Sequence, residues 1–164
     1  MVVHDERALE TGGALALGTF IPYRLSLLAE SVSRAFAQHY EQRFGITIPE
    51  WRVMAVLGEG SARSTQEVIE RTRMDRVRVS RAAIRLEDKG LIVRTKPPGD
   101  QRAHRLQLSR RGLAMYRQIV PLAHALQAEL VQVLGSRELQ AFDAAVGKLL
   151  ACADRLAPAS GPQT

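Results

Sequence analysis

The middle of the sequence changes from short capped helices to alternating strands, and this order restricts the possible folds. Thr47 with Glu50, and Ser64 with Glu67, have the spacing of capping boxes, in which each side chain accepts a hydrogen bond from the other residue's backbone N–H. Asp75 stands where an N-cap would start a third helix, which ends at a glycine. The last two of these helices, joined by a tight turn, have the spacing of a helix-turn-helix.

Two strands follow the third helix directly. The segments LIVRTK (91–96) and HRLQLS (104–109) read as strands, and PPGDQR between them supplies turn residues. A hairpin placed immediately after a recognition helix forms a wing. We therefore predict a mainly α fold with a small β-hairpin wing, in which a winged helix-turn-helix head is flanked by N- and C-terminal helices.

Longer helical patterns flank this head. One runs from Pro22 to Gly45, a second is capped by Ser109 and contains Pro121, and a third is predicted to be capped by Ser136. Apolar residues in the last pattern recur in alternating steps of three and four, which is typical of helices that pack on other helices. The predicted dimer interface comprises Leu25, Leu28, Leu139, Phe142, Val146, Leu149 and Leu156.

The predicted organisation is a flexible arm at 1–19, a dimerisation region at 20–45 and 109–156, a DNA-binding head at 47–108 and a disordered tail at 157–164. Cys152 is the only cysteine, so an intrachain disulfide is excluded and a reducing compartment fits. It lies beside the apolar positions of the last helix, and we interpret it as a packing residue. The longest uncharged N-terminal run is too short to span a bilayer, so we predict a cytoplasmic protein without a membrane partner.

Basic charge is concentrated in one quarter of the chain. Residues 71–111 contain 13 Lys and Arg against 4 Asp and Glu, whereas the remainder contains 10 against 13. A local net charge of +9 beside a remainder of −3 is the pattern expected of a protein that binds a polyanion. On charge alone, a solvated basic face that binds nothing is the alternative.

The helix that begins after Asp75 has an apolar face and a basic face. The apolar face consists of Val79, Ala82, Ala83 and Leu86, which cluster at about 100° per residue. The opposite face carries Val77, Ser80, Arg81, Ile84 and Asp88, with Arg78 and Arg85 on one flank. Arg76 and Arg78 oppose the helix dipole, at a cost of roughly 0.3–1 kcal/mol each at low salt, which favours an external anion.

Each position on the basic face suits a different contact with double-stranded DNA. In the first two turns, an arginine such as Arg81 is able to grip guanine with two hydrogen bonds, and Val77 is able to meet a thymine methyl group. Arg78 and Arg85 are better placed for phosphates, where charge positions the protein without reading sequence.

The segments IPEWRVMAVL, MDRVRVSRAAIRLEDKGLIVR and GDQRAHRLQLSRRG together resemble the MarR (multiple-antibiotic-resistance regulator) family of winged-helix transcription regulators. The last segment fits the family pattern D-x-R and L-x-L-(S/T)-x-x-G, and the resemblance covers nearly all of residues 20–156. It implies an obligate homodimer, with an interface built from N- and C-terminal helices, that binds a palindromic operator, with Arg102 at the wing tip in the minor groove and Asp100 orienting it. We predict a repressor, although the sequence leaves the sign of regulation open. A solvated hairpin tip is the alternative for those two residues.

Two sets of candidate site residues follow. The candidate DNA contacts are Ser64, Thr65, Arg76, Val77, Arg78, Ser80, Arg81, Arg85, Asp100 and Arg102. The candidate ligand-binding residues, on the first, second and fifth helices, are Phe36, His39, Tyr40, Arg43, Trp51, Arg52 and Tyr116. Aromatic side chains with a few cationic neighbours suit a small aromatic acid or phenol as effector. The alternative is that Tyr40 and Trp51 are core residues only.

Other chemistry has little support in the sequence. The four histidines lack metal-ligand spacing, and neither a nucleophile motif nor a phosphate-binding glycine loop occurs, so we predict no enzyme activity, cofactor or metal site. A function from another class remains open, namely a winged-helix architectural or protein-interaction module without ligand sensing. Specific DNA binding that exceeds nonspecific binding by ~10³ or more would separate the regulator from this module.

Overall fold

The computed structural model of this chain describes residues 15–96 and 104–157. The chain separates into two compact units, Met1–Leu113 and Ala114–Thr164. The elements are α1 (Ile21–Phe44), α2 (Ile48–Gly58), β1 (Arg63–Ser64), α3 (Thr65–Thr72), α4 (Arg76–Asp88), β2 (Ile92–Thr95), β3 (Arg105–Leu108), α5 (Arg110–Val131) and α6 (Ser136–Leu156). The predicted fold class is confirmed. Most of the predicted arm and tail, and both wing-tip candidates Asp100 and Arg102, lie outside the described residues.

The predicted caps of the head are confirmed. Thr47 N–H donates to Glu50 Oε2 at 2.6 Å, and Glu50 N–H donates to the Thr47 hydroxyl at 3.5 Å. Ser64 and Glu67 make the same reciprocal pair at 2.7 and 3.2 Å. Asp75 Oδ1 accepts from the third residue of α4 at 2.8 Å. Each bond satisfies a helix N–H that has no partner inside its helix.

The predicted cap of the last helix is wrong. Helix α6 begins at Ser136, so Ser136 is its first helical residue, and Gly135 is the N-cap with extended backbone. The Gly135 N–H donates to Glu138 Oε2 at 2.7 Å, which satisfies the N-cap through the acidic residue of the first turn. A serine hydroxyl is therefore not needed there.

The two predicted wing strands pair as an antiparallel hairpin, with Ile92 opposite Leu108 and Thr95 opposite Arg105. A third strand, β1, pairs with the outer side of β3 and gives the sheet order β1-β3-β2. The sequence does not predict β1, because a strand of two residues is too short to show an alternating pattern. Its place just before α3 ties the start of the helix-turn-helix to the wing.

Helix α4 buries its predicted apolar face. Val79, Ala82, Ala83 and Leu86 are between 0 and 3% exposed. They belong to a head core that also contains Val53, Met54, Leu57, Val68, Leu91, Ile92 and Leu106. Burial of one face fixes which side of the helix is left for a partner.

Backbone bonds join the end of α4 to the start of α5. Leu91 N–H donates to Leu86 O at 2.8 Å, and Ser109 N–H donates to Leu91 O at 3.0 Å. The Ser109 hydroxyl donates to Gly90 O at 2.7 Å and accepts from Gly112 N–H at 2.9 Å, so it caps α5 as predicted. Gly112 packs so closely that a Cβ atom there would lie 1.9 Å from Leu91 O.

The apolar positions of α6 are uncovered in the single chain. None of its residues is buried, and Phe142, Leu149 and Leu156 are 46, 46 and 79% exposed. Leu139 and Val146 are half-buried. In the other unit, Leu25 and Leu28 of α1 are 41 and 46% exposed. None of the helices within residues 15–96 and 104–157 is long and apolar enough to cross a membrane.

Candidate nucleic-acid interface

The face of α4 opposite the core is exposed except at Ser80. Val77 and Ile84, seven residues apart on that face, are 57 and 51% exposed. Exposure of apolar side chains to water is unfavourable, but such side chains are able to contact thymine methyl groups. Ser80, on the same face, is half-buried. The exposed face therefore combines apolar and cationic side chains on one rigid helix.

The arginines of α4 fall into two groups. Arg78 Nε lies 3.3 Å from Asp75 Oδ2, and Arg76 donates to the Gln66 side-chain oxygen at 3.4 Å. Within the part of the chain that the structure describes, Arg81 and Arg85 make neither an ion pair nor a side-chain hydrogen bond. Arg78 therefore has an internal partner in the carboxylate of its own N-cap, which was not expected from the sequence, whereas compensation by an external anion stays a prediction.

Arg78, Arg81 and Arg85 line one groove with the beginning of α2. The groove has a volume of about 180 Å³, and its lining residues are Thr47, Pro49, Arg78, Arg81, Ala82 and Arg85. No carboxylate is among them, so cationic groups dominate its field. The helical pattern placed Arg81 on the outer face of α4 and Arg78 and Arg85 on its flank. It gave no indication that Thr47 and Pro49 line the same groove. The contribution of α2 was invisible because these residues lie about thirty positions earlier in the chain.

Several other basic residues of the head are committed to internal ion pairs. Arg63 lies 3.8 Å from both Glu59 and Glu67, and Arg71 pairs with Glu59. Arg105 donates to Ala62 O at 3.0 Å, and hydrogen bonds from Ser64 lower the pKa of Glu67. The charges of Arg63 and Arg71 are therefore partly offset by acidic side chains of the head itself.

The wing is also tied to the recognition helix by charge. Arg94 Nε of β2 donates to Glu87 Oε2 of α4 at 2.9 Å. Both side chains are about two-fifths exposed, so the pair contributes modestly to stability, ~1 kcal/mol or less. Its effect is to hold the base of the wing beside the recognition helix.

The candidate DNA residues Ser64 and Thr65 lie at the start of α3. Ser64 is its N-cap and Thr65 its first residue, and both are half-buried. The Ser64 hydroxyl is used by the capping box, so it has less capacity for a further partner than a free hydroxyl has. Thr65 has the position from which a helix N-terminus meets a phosphate.

Three of the predicted ligand-binding residues form an aromatic cluster. The rings of Phe36 and Tyr40 are 6.4 Å apart and nearly perpendicular, and the rings of Tyr40 and Trp51 are 5.5 Å apart. Tyr40 is 1% exposed, and burial raises the pKa of its phenol. The cluster joins the end of α1 to α2, and Tyr40 is part of the buried core there.

The polar candidates around this cluster are exposed. His39, Arg43 and Arg52 all face solvent, and the Arg43 guanidinium lies 5.8 Å from the centre of the Phe44 ring. Tyr116 is a half-buried residue of the second unit. The structure thus groups Phe36, Tyr40 and Trp51, and it does not bring His39, Arg43 or Arg52 into a shared enclosed site with them.

Capped helices α3 and α4, with a three-stranded sheet beside them, define a winged helix-turn-helix protein. Residues 44–103 match the sequence profile of the MarR family. The crystal structure of a MarR/EmrR-family transcriptional regulator from Acinetobacter sp. ADP1 superposes with a TM-score of 0.80 at 24% identity, over 86% of this chain and 99% of that one. Residues 44–103, which make up most of the head, are thus similar to the MarR family, and the fold is that of a solved MarR/EmrR-family regulator.

Two further proteins are similar to this chain. The HTH-type transcriptional regulator FarR of Neisseria gonorrhoeae is 30% identical over 94 residues, which are 57% of this chain and 64% of FarR. The match therefore spans less than two thirds of that relative. BpsR of Bordetella bronchiseptica, whose DNA binding is regulated by 6-hydroxynicotinic acid, has a TM-score of 0.75 at 21% identity, over 84% of this chain and 97% of BpsR. At this identity the likeness concerns the fold alone.

Proposed function

We propose that the chain is a sequence-specific DNA-binding transcription regulator that acts as a homodimer. The observation that carries the proposal is the outward face of α4. There Arg81 and Arg85 lie beside the exposed Val77 and have no partner among the described residues. Double-stranded DNA supplies both anions for the guanidinium groups and methyl groups for the apolar residues. Helix α4 would occupy the major groove, with the wing reaching the adjacent minor groove.

The groove between α4 and the start of α2 suits one stretch of the DNA backbone. Arg85 has the flank position expected for a phosphate contact, and Thr47 offers a hydroxyl on the opposite wall. Arg81 is nearer the first turns of α4, from which base edges are reached. Asp100 and Arg102 keep their proposed role at the wing tip by resemblance, since both lie outside the described residues.

Arginine variants are expected to separate base reading from phosphate contact. Arg81→Ala should relax the preference at one operator position and cost ~1–3 kcal/mol, whereas Arg85→Ala should weaken all sequences alike and lower the salt slope by about one. Arg102→Ala should weaken binding chiefly where the minor groove is narrow. The measurement is affinity for operator and scrambled duplexes over a range of salt concentrations.

The alternative roles have different signatures in the same measurement. If Arg81→Ala lowered the salt slope like Arg85→Ala and left base preference intact, Arg81 would belong with the phosphate contacts in the groove. If the wild-type chain bound operator and scrambled DNA within about tenfold of each other, the architectural module would replace the specific regulator, since specific binders exceed nonspecific binding by ~10³ or more.

We further propose that dimerisation uses the uncovered apolar residues of α1 and α6. Leu25, Leu28, Leu139, Phe142, Val146, Leu149 and Leu156 are exposed or half-buried in the single chain. Exposed apolar residues that recur along one face of a helix, as on α6, mark an interaction surface. Two copies would bring two recognition helices onto the halves of a palindromic operator.

We propose repression as the mode of action and a small aromatic acid or phenol as the effector that releases the DNA. The support is the aromatic cluster of Phe36, Tyr40 and Trp51, together with the regulation of BpsR by 6-hydroxynicotinic acid. Trp51 is only half-buried, so a ligand is able to reach it, whereas Tyr40 is closed off by the core. A ligand shifts the protein only through a difference in affinity between the DNA-bound and free arrangements.

An effector is expected to act on stability and on DNA affinity together. In a thermal-shift screen of aromatic carboxylates and phenols, a true effector should raise the melting temperature of the free dimer. It should also lower the affinity of the protein for the operator. By reciprocity, operator DNA should lower the affinity of the protein for the effector by the same coupling free energy. Trp51→Ala should abolish both effects. If no compound did both, or Trp51→Ala left the response unchanged, the aromatic cluster would be core only.

A further inference from the structure

Lys89 connects three helices of the head. It is the C-cap of α4, and its Nζ donates to Gly45 O at 2.8 Å and to Glu50 Oε1 at 2.8 Å. Gly45 is the left-handed residue that ends α1, and Glu50 lies in the first turn of α2. One ammonium group thus fixes the end of the recognition helix to the corner between α1 and α2.

Glu50 has more hydrogen-bonding capacity than a helix cap requires. Its side chain is 1% exposed, and Oε2 accepts both the Thr47 N–H at 2.6 Å and the Thr47 hydroxyl at 3.0 Å. A glutamine at this position closes a capping box equally well. The second carboxylate oxygen and the negative charge are therefore left for Lys89.

The charged state of Glu50 is maintained despite burial. Burial raises the pKa of the carboxyl, but hydrogen bonds from Lys89 and Thr47 outweigh it, and the net pKa lies below the ordinary value. A buried ion pair gains little stability over an apolar pair of the same volume, because desolvation offsets the attraction. What such a pair supplies is a defined geometry between the elements that it joins.

A small change in the tilt of α4 at its C-terminal end displaces its N-terminal turn the most. The 13 residues of α4 span about 20 Å, so a tilt of about 10° at Lys89 displaces the first turn by roughly 3 Å. A hydrogen bond to a base edge tolerates only a few tenths of an ångström. The angle of α4 on α2 therefore decides whether Arg76 and Arg81 reach their targets.

We propose that Lys89 and Glu50 are positioning residues that fix the angle of the recognition helix α4 on α2. This inference rests on the proposed DNA-binding function. Lys89 itself is 37% exposed, so a direct phosphate contact is the competing role for its charge. The two roles predict different salt dependences, because only a phosphate contact releases counterions.

The test uses Glu50→Gln, Lys89→Met and the double variant, with Arg85→Ala as a reference phosphate contact. Each single variant should lower operator affinity about tenfold, leave nonspecific affinity within about twofold and keep the wild-type salt slope. The double variant should bind the operator no more weakly than the weaker-binding of the two single variants. Glu50→Gln retains the capping box, so its fold should be intact. The assay is operator and scrambled-duplex affinity between low and moderate salt.

Three outcomes would overturn the proposal. In the first, Lys89→Met lowers the salt slope by about one while Glu50→Gln binds DNA like the wild type. In the other two, the effects of the single variants add up in the double variant, or both single variants keep wild-type specificity. Amide hydrogen exchange in the DNA-free protein gives an independent readout. Both singles should speed exchange in α4 about tenfold relative to α2, and unchanged exchange would also overturn the proposal. A wild-type chain without operator preference would instead remove the proposed function, while exchange still decides the role of the pair.

Discussion

Replacing Gly112 with alanine is expected to destabilise the protein by about 3 kcal/mol, near the upper end of overpacking effects. A Cβ atom at this position would lie 1.9 Å from Leu91 O, a distance that no relaxed structure contains. The obstacle is backbone, and Leu91 O already accepts the Ser109 N–H, so neither partner is free to move without breaking the junction between wing and α5. Urea unfolding at fixed protein concentration measures the loss.

The matched control is Gly147→Ala in α6. Gly147 lies within a helix, and a Cβ atom added there would have no described neighbour within 4 Å. Alanine there should stabilise the protein by roughly 0.5–1 kcal/mol, because glycine is the poorer helix former. The two substitutions add the same methyl group and should shift the free energy of unfolding in opposite directions. If both variants unfolded at the same urea concentration, the close contact at Gly112 would not exist in solution.

Introducing glutamate at Leu149 and Leu156 together is expected to give monomers that lose operator binding. Both side chains belong to the apolar stripe of α6 proposed as the dimer interface, and burying two carboxylates in an apolar contact is strongly unfavourable. A monomer binds one operator half, so its affinity should fall about a hundredfold or more, as expected when two linked sites become one. Analytical ultracentrifugation and operator titration measure the two effects.

A double variant with the same added charge separates the interface from general electrostatics. Ala144 and Ala151 are exposed residues on the side of α6 away from the apolar stripe, and Ala144→Glu with Ala151→Glu should leave a dimer that binds. Both double variants lower the net charge equally, so repulsion from DNA is matched. Dimerisation of the Leu149 and Leu156 variant with normal operator affinity would remove α6 from the interface.

Local patterns in the sequence predicted most of the head. The capping boxes of Thr47 and Ser64 and the buried face of α4 arise from neighbours within four residues, so the sequence alone expresses them. The wrong N-cap predicted for α6 also has a local cause. Ser136 and the preceding glycine are both possible N-caps, and Gly135, with extended backbone, is the one observed. Residue type favours serine over glycine at an N-cap, so it predicts the wrong outcome here.

The parts of the site that sequence analysis missed depend on tertiary packing. The Lys89–Glu50 bond joins residues 39 positions apart, and no spacing rule connects them. Sequence analysis identified Glu50 only as half of a capping box, because the second oxygen of its carboxylate has no local partner. The groove with Pro49 and the short strand β1 likewise exist only once distant segments meet.

If the uncovered apolar residues of α6 form the proposed dimer interface, they would affect how regulation depends on the amount of protein. A chain that must pair before it binds DNA has an operator occupancy that rises with the square of its concentration whenever monomers predominate. Halving the amount of protein would then remove about three quarters of the dimers, by mass action. The exposure of Leu149 and Leu156 in the single chain would thus make a gene under its control respond steeply to small changes in how much regulator the cell makes.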